Sequence, residues 1–415
     1  MTSGFDDPRM RGFRSRRSVG EVIALIDARV APLGVQRVPT PASAGRVLAS
    51  GIVAEGDVPA FDRSAMDGYA VRGEETYGVN VYAPAFLRLV GRSFPGRAFE
   101  GKLEPGEAVE IATGAPIPVG ADTVVPVEAT HRDGDRVAVT EAFPVGRHIG
   151  RRGEDVALGA AVLAARRVLR PQDLGVLSGL GVGEVEVIRR PRVTIIVTGD
   201  ELLRPGKPAE GSRFADMNSP MLAALVARDG GAARVVGPLK DRRDRLRDAL
   251  ASEAASSDAL LVSGGSSTGP EDHAPGLVAE LGELSVHGVA LRPASPAGLG
   301  WINGVPVVLL PGNPVSCLCA YDLFAGRIIR RLGGRPEEWP YRAVKRPLAR
   351  KLVSALGRVD YARVRLVGDR VEPLSVSGAS ILSSTTRADG FVLVPADLEG
   401  YPEGAVVTVW RYDLS

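Results

Sequence analysis

Residues 192–202 read RVTIIVTGDEL. A continuous β-forming run ending abruptly in Thr-Gly-Asp-Glu is the pattern of a strand buried on both faces that delivers acids to its carboxyl end. The theme then repeats with helices in between. SPMLAALVARDG (219–230) precedes ARVVGPL (233–239), RDRLRDALASEA (243–254) precedes DALLVSGG (258–265), and APGLVAELG (274–282) precedes SVHGVAL (285–291). Strands alternating with helices imply right-handed crossovers and a mostly parallel sheet covered on both faces, here an α/β domain over 191–335. GLGWI (298–302) and PVVLL (306–310), joined through Asn303-Gly304, read as a hairpin closing the sheet.

Outward from this domain the pattern changes. Val19, Val22, Ile23, Ile26, Val30 and Leu33 recur at helical spacing. With a short helix over 41–49, a helix at PQDLGVLSGL (171–180) and a strand at EVEVI (184–188), they suggest an N-terminal helical and β domain made of 19–50 plus 146–190. Residues 51–145 carry short strand-like runs, AVEIA, DTVVPVEAT and RVAVTEA, with Asp133-Gly134 as a hairpin turn, and read as an inserted β domain. Residues 341–415 return to short β runs split by glycine turns, as in a terminal β barrel. Residues 1–18, with the basic run RMRGFRSRR at 9–17, read as a disordered tail rather than a binding arm.

At 415 residues the chain is too long for one ordinary core. Hydrophobic content of 45% with 24% charge belongs to a globular protein, and a net charge of +2 gives no case for bulk attraction to nucleic acid. No apolar run approaches the ~18 residues of a membrane span, and the basic N-terminus lacks the apolar stretch of a secretory signal. Cys317 and Cys319, one residue apart in an expected helix, point to different faces and do not suit a mutual disulfide, so a reducing, cytoplasmic setting is expected. The four histidines are too dispersed for a zinc site, and no GxSxG elbow supports serine catalysis.

The polar residues gather at strand ends, where open α/β sheets bind ligands. Asp200 and Glu201 follow RVTIIV; SGGSSTGPED follows DALLV; Arg292 to Ser295 follow SVHGVAL; PGNPVS, with Asn313 and Ser316, follows PVVLL. In LVSGGSSTGPEDH, Ser263, Gly264 and Gly265 can bring backbone N–H groups close to an anion, with Ser266, Ser267 and Thr268 as further donors. A turn rich in small residues would look the same, but Glu271 and Asp272 beside an anion cradle favour a divalent metal shared with substrate phosphates. PGNPVS is equally compatible with a plain loop leading into a helix capped near Val315 or Ser316. DMNSPML offers Asn218 or Ser219 as a helix cap, with Asp216 just outside. In the inserted region, PAFDRSAMDGYAVRG contributes Asp62, Ser64 and Asp67, and IATGAPIPVGADTVV contributes Thr113. Both can be turn chemistry or a second surface of a shared cleft.

Together PAFDRSAMDGYAV, ATGAPIP, ADTVV, RRGEDV, RVTIIVTGDEL, SGG and LPGNPVS, in this order from about Val19 onward, resemble the molybdopterin molybdenumtransferase family, which includes the catalytic domain of gephyrin. The resemblance implies an α/β and β multidomain chain. A MogA-like molybdopterin-binding α/β domain is expected with a helical and β N-terminal segment, an inserted β domain and a C-terminal β barrel. It also implies a homodimer whose active site joins the α/β domain of one subunit to the inserted domain of the other. The implied reaction takes adenylylated molybdopterin, molybdate and Mg²⁺, and releases AMP as the dithiolene receives molybdenum. Catalytic duties would fall to Asp67, Thr113, Glu201 and Asp272, and metal binding to Glu201, Asp216 and Asp272. Asp216, Asn218, Ser263, Gly264, Gly265, Pro311, Gly312 and Asn313 would bind substrate. Arg292, Ser295, Arg358 and Ser384 would face the oxyanion, which needs fixed charge and donors. A molybdopterin adenylyltransferase and recipient molybdoenzymes are expected partners.

Departures concentrate in one place. Where the family commonly has lysine-proline-glycine-lysine-proline, this chain has Arg292-Pro293-Ala294-Ser295-Pro296. The usual valines of the serine-glycine-glycine loop are Ser266 and Thr268, and Pro270 stands where an acid is common. Arginine replaces lysine as a charge, whereas serine does not. The chain has no lysine between residues 241 and 344, so no register shift restores the second charge. This leaves open a non-catalytic molybdopterin-binding carrier or scaffold, a tungstate-inserting variant, and an adenylyltransferase of the related single-domain kind.

Overall fold

The computed structural model describes residues 16–266, 269, 272–375 and 378–412. The chain divides into two compact units.

The first unit comprises residues 1–37, 45–49 and 186–415 and is built on a six-stranded sheet. Its strands are β1 (Arg192–Thr198), β2 (Ala232–Leu239), β3 (Ala259–Ser263), β4 (Glu283–His287), β6 (Gly298–Ile302) and β7 (Val305–Leu310). A two-residue strand, β5 (Leu291–Arg292), belongs to a different sheet. The order is β2-β1-β3-β7-β6-β4. The pairs β2/β1, β1/β3 and β3/β7 are parallel, and β7/β6 and β6/β4 antiparallel. Asn303 and Gly304, both with positive φ (51° and 80°), form the turn between β6 and β7, as that dipeptide implies. Two reversals return β4 to the direction of β7, so the loop after β4 leaves on the same side as those after β1, β3 and β7.

Helix α1 (Val19–Arg29) is closed by a capping box, Ser18 with Glu21. Its Val19, Val22 and Ile26 are buried with Val193, Ile195 and Val197 of β1. Helices α2 (Asn218–Arg228), α3 (Arg243–Ala254) and α4 (Ala274–Leu281) provide the crossovers. Their apolar positions divide between two cores: Leu222 and Val226 join α1 on one side of the sheet, and Leu246, Leu250, Leu277 and Val278 lie on the other. Helix α5 (Pro314–Ala320) runs through a π turn (Tyr321–Ala325) into α6 (Gly326–Leu332). Cys317 and Cys319 on α5 are free and buried. Burial pushes the Cys317 thiol up to about 12.

The C-terminal strands are β8 (Arg342–Pro347), β9 (Val359–Val367), β10 (Arg370–Ser375), β11 (Gly390–Val394) and β12 (Val406–Arg411). They follow the order β5-β9-β11-β12-β8, with β10 on β9. A bridge between Leu348 and Val371 carries the chain beyond β8 back to β10 and closes the barrel. Tyr361 and Phe391 of the barrel lie in the same core as α1 and β1. The hydroxyls of Tyr341 and Tyr361 donate to the buried Asp322 carboxylate at 2.9 and 3.1 Å.

The second unit comprises residues 38–44 and 50–185. Its main sheet runs Thr123–Pro126, Gly68–Val71, Glu107–Ile111, Ala85–Ser93, Arg136–Val139, Thr130–Asp133. The chain is thus a mixed α/β and β protein with short-stranded β domains at both ends of its parallel sheet in sequence. No helix among the described residues is long and apolar enough to cross a membrane.

Candidate functional site

A cavity of about 510 Å³ lies outside the carboxyl ends of β1, β3 and β7. Chain order reverses across β1, since β2 lies on one side of it and β3 on the other; such a switch point is where doubly wound sheets open. Thr198 and Gly199, Ser263 and Gly264, and Pro311 and Gly312 are the strand-end residues of its wall. Among the described residues four carboxylates line it: Glu201, Asp216, Asp241 and Asp272.

Asp216, Asp241 and Asp272 are positioned by local hydrogen bonds. The Asp216 Oδ1 accepts the backbone N–H groups of Asn218 and Ser219 at 2.9 and 3.1 Å. Asp216 therefore caps α2, the duty expected of Asn218 or Ser219, because its carboxylate complements the exposed donors of the first turn. Its Oδ2 is buried without a hydrogen-bond partner among the described residues. Asn218 is instead a cross-brace: Nδ2 donates to Ser263 Oγ at 2.9 Å and to the Gly312 carbonyl at 2.8 Å, tying the β3 and β7 loops to α2. Gly264 has φ of +97°, and a Cβ there would sit 2.3 Å from the Thr198 carbonyl oxygen, so the close approach of the β3 loop to β1 requires glycine. Asp272 accepts the Gly269 N–H at 2.5 Å and so holds the far end of that loop.

Asp241 was not singled out from the sequence. It follows β2 as Asp200 follows β1, and it accepts the Thr198 hydroxyl at 2.5 Å and the Asp200 N–H at 3.2 Å. Phe214, Met217 and Ser380 also line the cavity unforeseen. Ser267, Thr268, Pro270, Glu271 and residues 1–15 lie outside the described residues.

A second cavity, of about 680 Å³, shares Pro296, Pro311 and Asn313 with the first. It is lined by Arg292, Ser295, Arg358 and, again unforeseen, Arg16. The pairing of β5 with β9 is parallel and sets Arg292 opposite Asp360. The two side chains form an ion pair, Arg358 lies 3.4 Å from the same carboxylate, and Ser354 Oγ donates to it at 2.7 Å. The buried Ser295 Oγ has no hydrogen-bond partner among the described residues. Ala294, in the glycine position of the family loop, holds a φ of +97°. Ser384 is not among the residues of either wall; its hydroxyl donates to the Ile381 carbonyl at 2.6 Å. Asn313, on both walls, occupies the capping position of α5 without a side-chain bond to it, two residues before Val315, the earlier of the two residues expected near the cap.

In the second unit, pairing of Gly68 with Ile111 brings the residues just beyond them together. One oxygen of exposed Asp67 accepts the Thr113 N–H at 2.7 Å and its hydroxyl at 3.0 Å. These bonds, the backbone one first, hold the Asp67 carboxyl below the usual carboxylate range. The other polar residues of that motif are engaged structurally. Asp62 accepts from Arg151 and from the Arg152 backbone, and Ser64 is buried and donates to the Met66 carbonyl at 2.5 Å.

A hard cation is compatible with the first cavity on its donor set. Mg²⁺ draws one or two ligands from carboxylates and the rest from water and substrate phosphate. Four carboxylates with a partnerless Asp216 Oδ2 fit that use, while among the described residues no three His, Cys, Asp or Glu side chains are grouped to hold a metal by themselves.

Three family descriptions match in order: "MoeA N-terminal region (domain I and II)" over 17–181, "Probable molybdopterin binding domain" over 194–331 and "MoeA C-terminal region (domain IV)" over 345–412. The chain is 37% identical over 328 residues to molybdopterin molybdenumtransferase 2 of Mycobacterium tuberculosis, covering 76% of this chain and 80% of that one. It is 29% identical over 335 residues to molybdopterin molybdenumtransferase of Haemophilus influenzae, covering 78% and 81%. Among solved structures, the molybdopterin biosynthesis MoeA protein of Pyrococcus horikoshii superposes with a TM-score of 0.82 at 31% identity, over 96% of this chain and 100% of that one.

Proposed function

This chain belongs to the MoeA family of molybdopterin molybdenumtransferases, and on that premise we propose that it inserts molybdate into adenylylated molybdopterin with release of AMP. It is a transferase of molybdenum cofactor biosynthesis. The observation that carries the finer reading is the pair of adjoining cavities, one lined by carboxylates and one by arginines, with Pro296, Pro311 and Asn313 in both walls. A phosphoanhydride and an oxyanion make those two opposite demands side by side.

In this reading the Ser263-Gly264-Gly265 turn and the Pro311-Gly312-Asn313 loop receive the pterin phosphate arm, held at fixed separation by Asn218. Glu201, Asp216, Asp241 and Asp272 are the carboxylates from which Mg²⁺ would take its protein ligands. When bound, the ion supplies charge neutralisation at the phosphate. Arg292 and Arg358 bind molybdate in the second cavity, with Ser295 as a hydroxyl donor. Asp67, kept ionised by Thr113, orients the reacting groups from a second copy of the chain, a homodimer being part of the same proposal. A cytoplasmic setting is proposed with it, supported by two buried free thiols.

Incubating the purified protein with adenylylated molybdopterin, Mg²⁺ and either molybdate or tungstate tests the reading and decides the metal. AMP release coupled to active cofactor supports it. Ser295 in place of the second lysine favours one alternative, a carrier, and tight binding without AMP release would establish that instead.

A further inference from the structure

The second cavity is assembled from two parts of the chain. Arg292 follows the α/β sheet, Arg358 leads into β9 of the barrel, and both reach the buried Asp360. The two parts are joined by a short parallel pairing, Leu291 with Val359 and Arg292 with Asp360, extended by the Val359 N–H donating to the Ala290 carbonyl at 2.9 Å. So short a pairing contributes little stability alone, and a one-residue slip would turn Asp360 away from Arg292. Its register needs support from outside.

That support comes from the other face of β9. Successive side chains of a strand point to opposite faces. Ala362 and Val364 enter the barrel core, whereas Tyr361 packs in the core that holds α1 and β1. There its hydroxyl donates to Asp322 Oδ2 at 3.1 Å and, its proton being committed, accepts from Tyr412 at 2.9 Å. Asp322 Oδ1 takes the Tyr341 hydroxyl at 2.9 Å and Arg228 at 3.3 Å. Asp322 lies in the π turn after α5, a helix whose cap, Asn313, stands in both cavity walls. Arg228 closes α2, whose first residue, Asn218, lines the carboxylate cavity. One fully buried carboxylate thus ties the strand that carries Asp360 to the two helices that border the first cavity. Buried away from water, it depends on these donors, because each one lost leaves charge unsolvated.

We propose that Asp322 is a positioning residue of the oxyanion cavity: through the Tyr361 hydroxyl it fixes β9 against the α/β domain and so holds Arg292 and Arg358 at the separation the anion needs. The identity of that anion rests on the functional reading above. The positioning itself rests on the pairing of β5 with β9 and on the carboxylate behind it.

The test uses the full-length protein and three variants. Tyr361→Phe keeps the ring stacked on Phe391 and removes the hydroxyl. Hydrogen exchange read by mass spectrometry should then be faster in the paired segments of β5 and β9, and isothermal titration should show molybdate binding weakened about fivefold. Tyr321→Phe removes an equally buried hydroxyl that donates to Asp229 at 2.9 Å, and should leave both readouts as in wild type. Tyr361→Phe introduced into Asp322→Asn should add nothing further to the effect of Asp322→Asn. Unchanged exchange or affinity in Tyr361→Phe, an equal effect of Tyr321→Phe, or additive losses in the double variant overturns the inference. The exchange readout uses no ligand, so a wild type that fails to bind molybdate or to release AMP, with the exchange result intact, sinks the functional reading and leaves Asp322 holding the pairing of β5 with β9.

Discussion

Thr113 donates both its backbone N–H and its hydroxyl to a single oxygen of Asp67, 46 residues earlier in the chain. Because the larger share of the depression of the Asp67 pKa comes from the backbone bond, Thr113→Val should raise that pKa only part of the way to its ordinary value. The folded pKa is depressed, so this contact contributes stability above the unfolded carboxyl pKa of about 3.9 and loses it as pH falls through the folded value. An NMR titration of the Asp67 carboxyl through the acid range measures the shift. Identical titrations in the two proteins would remove the hydroxyl from the account.

A second acid has a structural role. Asp173, almost fully buried, accepts from Arg167 and Arg170 and from the Arg170 backbone N–H. The Arg167 bonds, followed by those of Arg170, depress its pKa strongly. Its contribution is complete above the unfolded value and is lost progressively as pH falls from there through the depressed folded value. Asp173→Asn should cost about 2 kcal/mol at neutral pH, since both guanidiniums are partly exposed, and much less in acid. Urea melts at the two pH values check this; a penalty independent of pH would contradict it.

Ala294→Gly should stabilise the protein by roughly 1 kcal/mol, because the φ of +97° costs an alanine what it does not cost a glycine. The denaturant midpoint reports it, and a lower midpoint would mean that packing of the buried methyl outweighs the backbone strain.

Thiol chemistry should be silent in the native state. With Cys317 pushed up to about 12 and Cys319 also raised by burial, a disulfide reagent at mildly alkaline pH should find two thiols only after denaturant is added. Rapid labelling of either cysteine in the folded protein would show that α5 opens.

The α/β unit was legible because β1, β3 and β7 are buried on both faces and therefore spell continuous apolar runs. The acids after β1 and β3 stood out against those runs. Asp241 did not: β2 is an edge strand with several exposed residues, so its end is poorly marked in the sequence. Arg16 was hidden differently. It sits in a basic run that composition alone assigns to a tail, and only the bridge of Arg17 to Val289 shows which side of the chain it faces. The Arg292 and Asp360 pair depends on β5 joining the barrel rather than the parallel sheet, a long-range register that no local pattern encodes.

The central claim is catalysis at the carboxylate-lined cavity. The most direct measurement is AMP release from adenylylated molybdopterin with Mg²⁺ and molybdate, compared between wild type and Asp272→Asn of matched circular dichroism. The account predicts metal-dependent release by the wild type and its abolition in Asp272→Asn. Unchanged release by the variant, or substrate binding without release by the wild type, would contradict it.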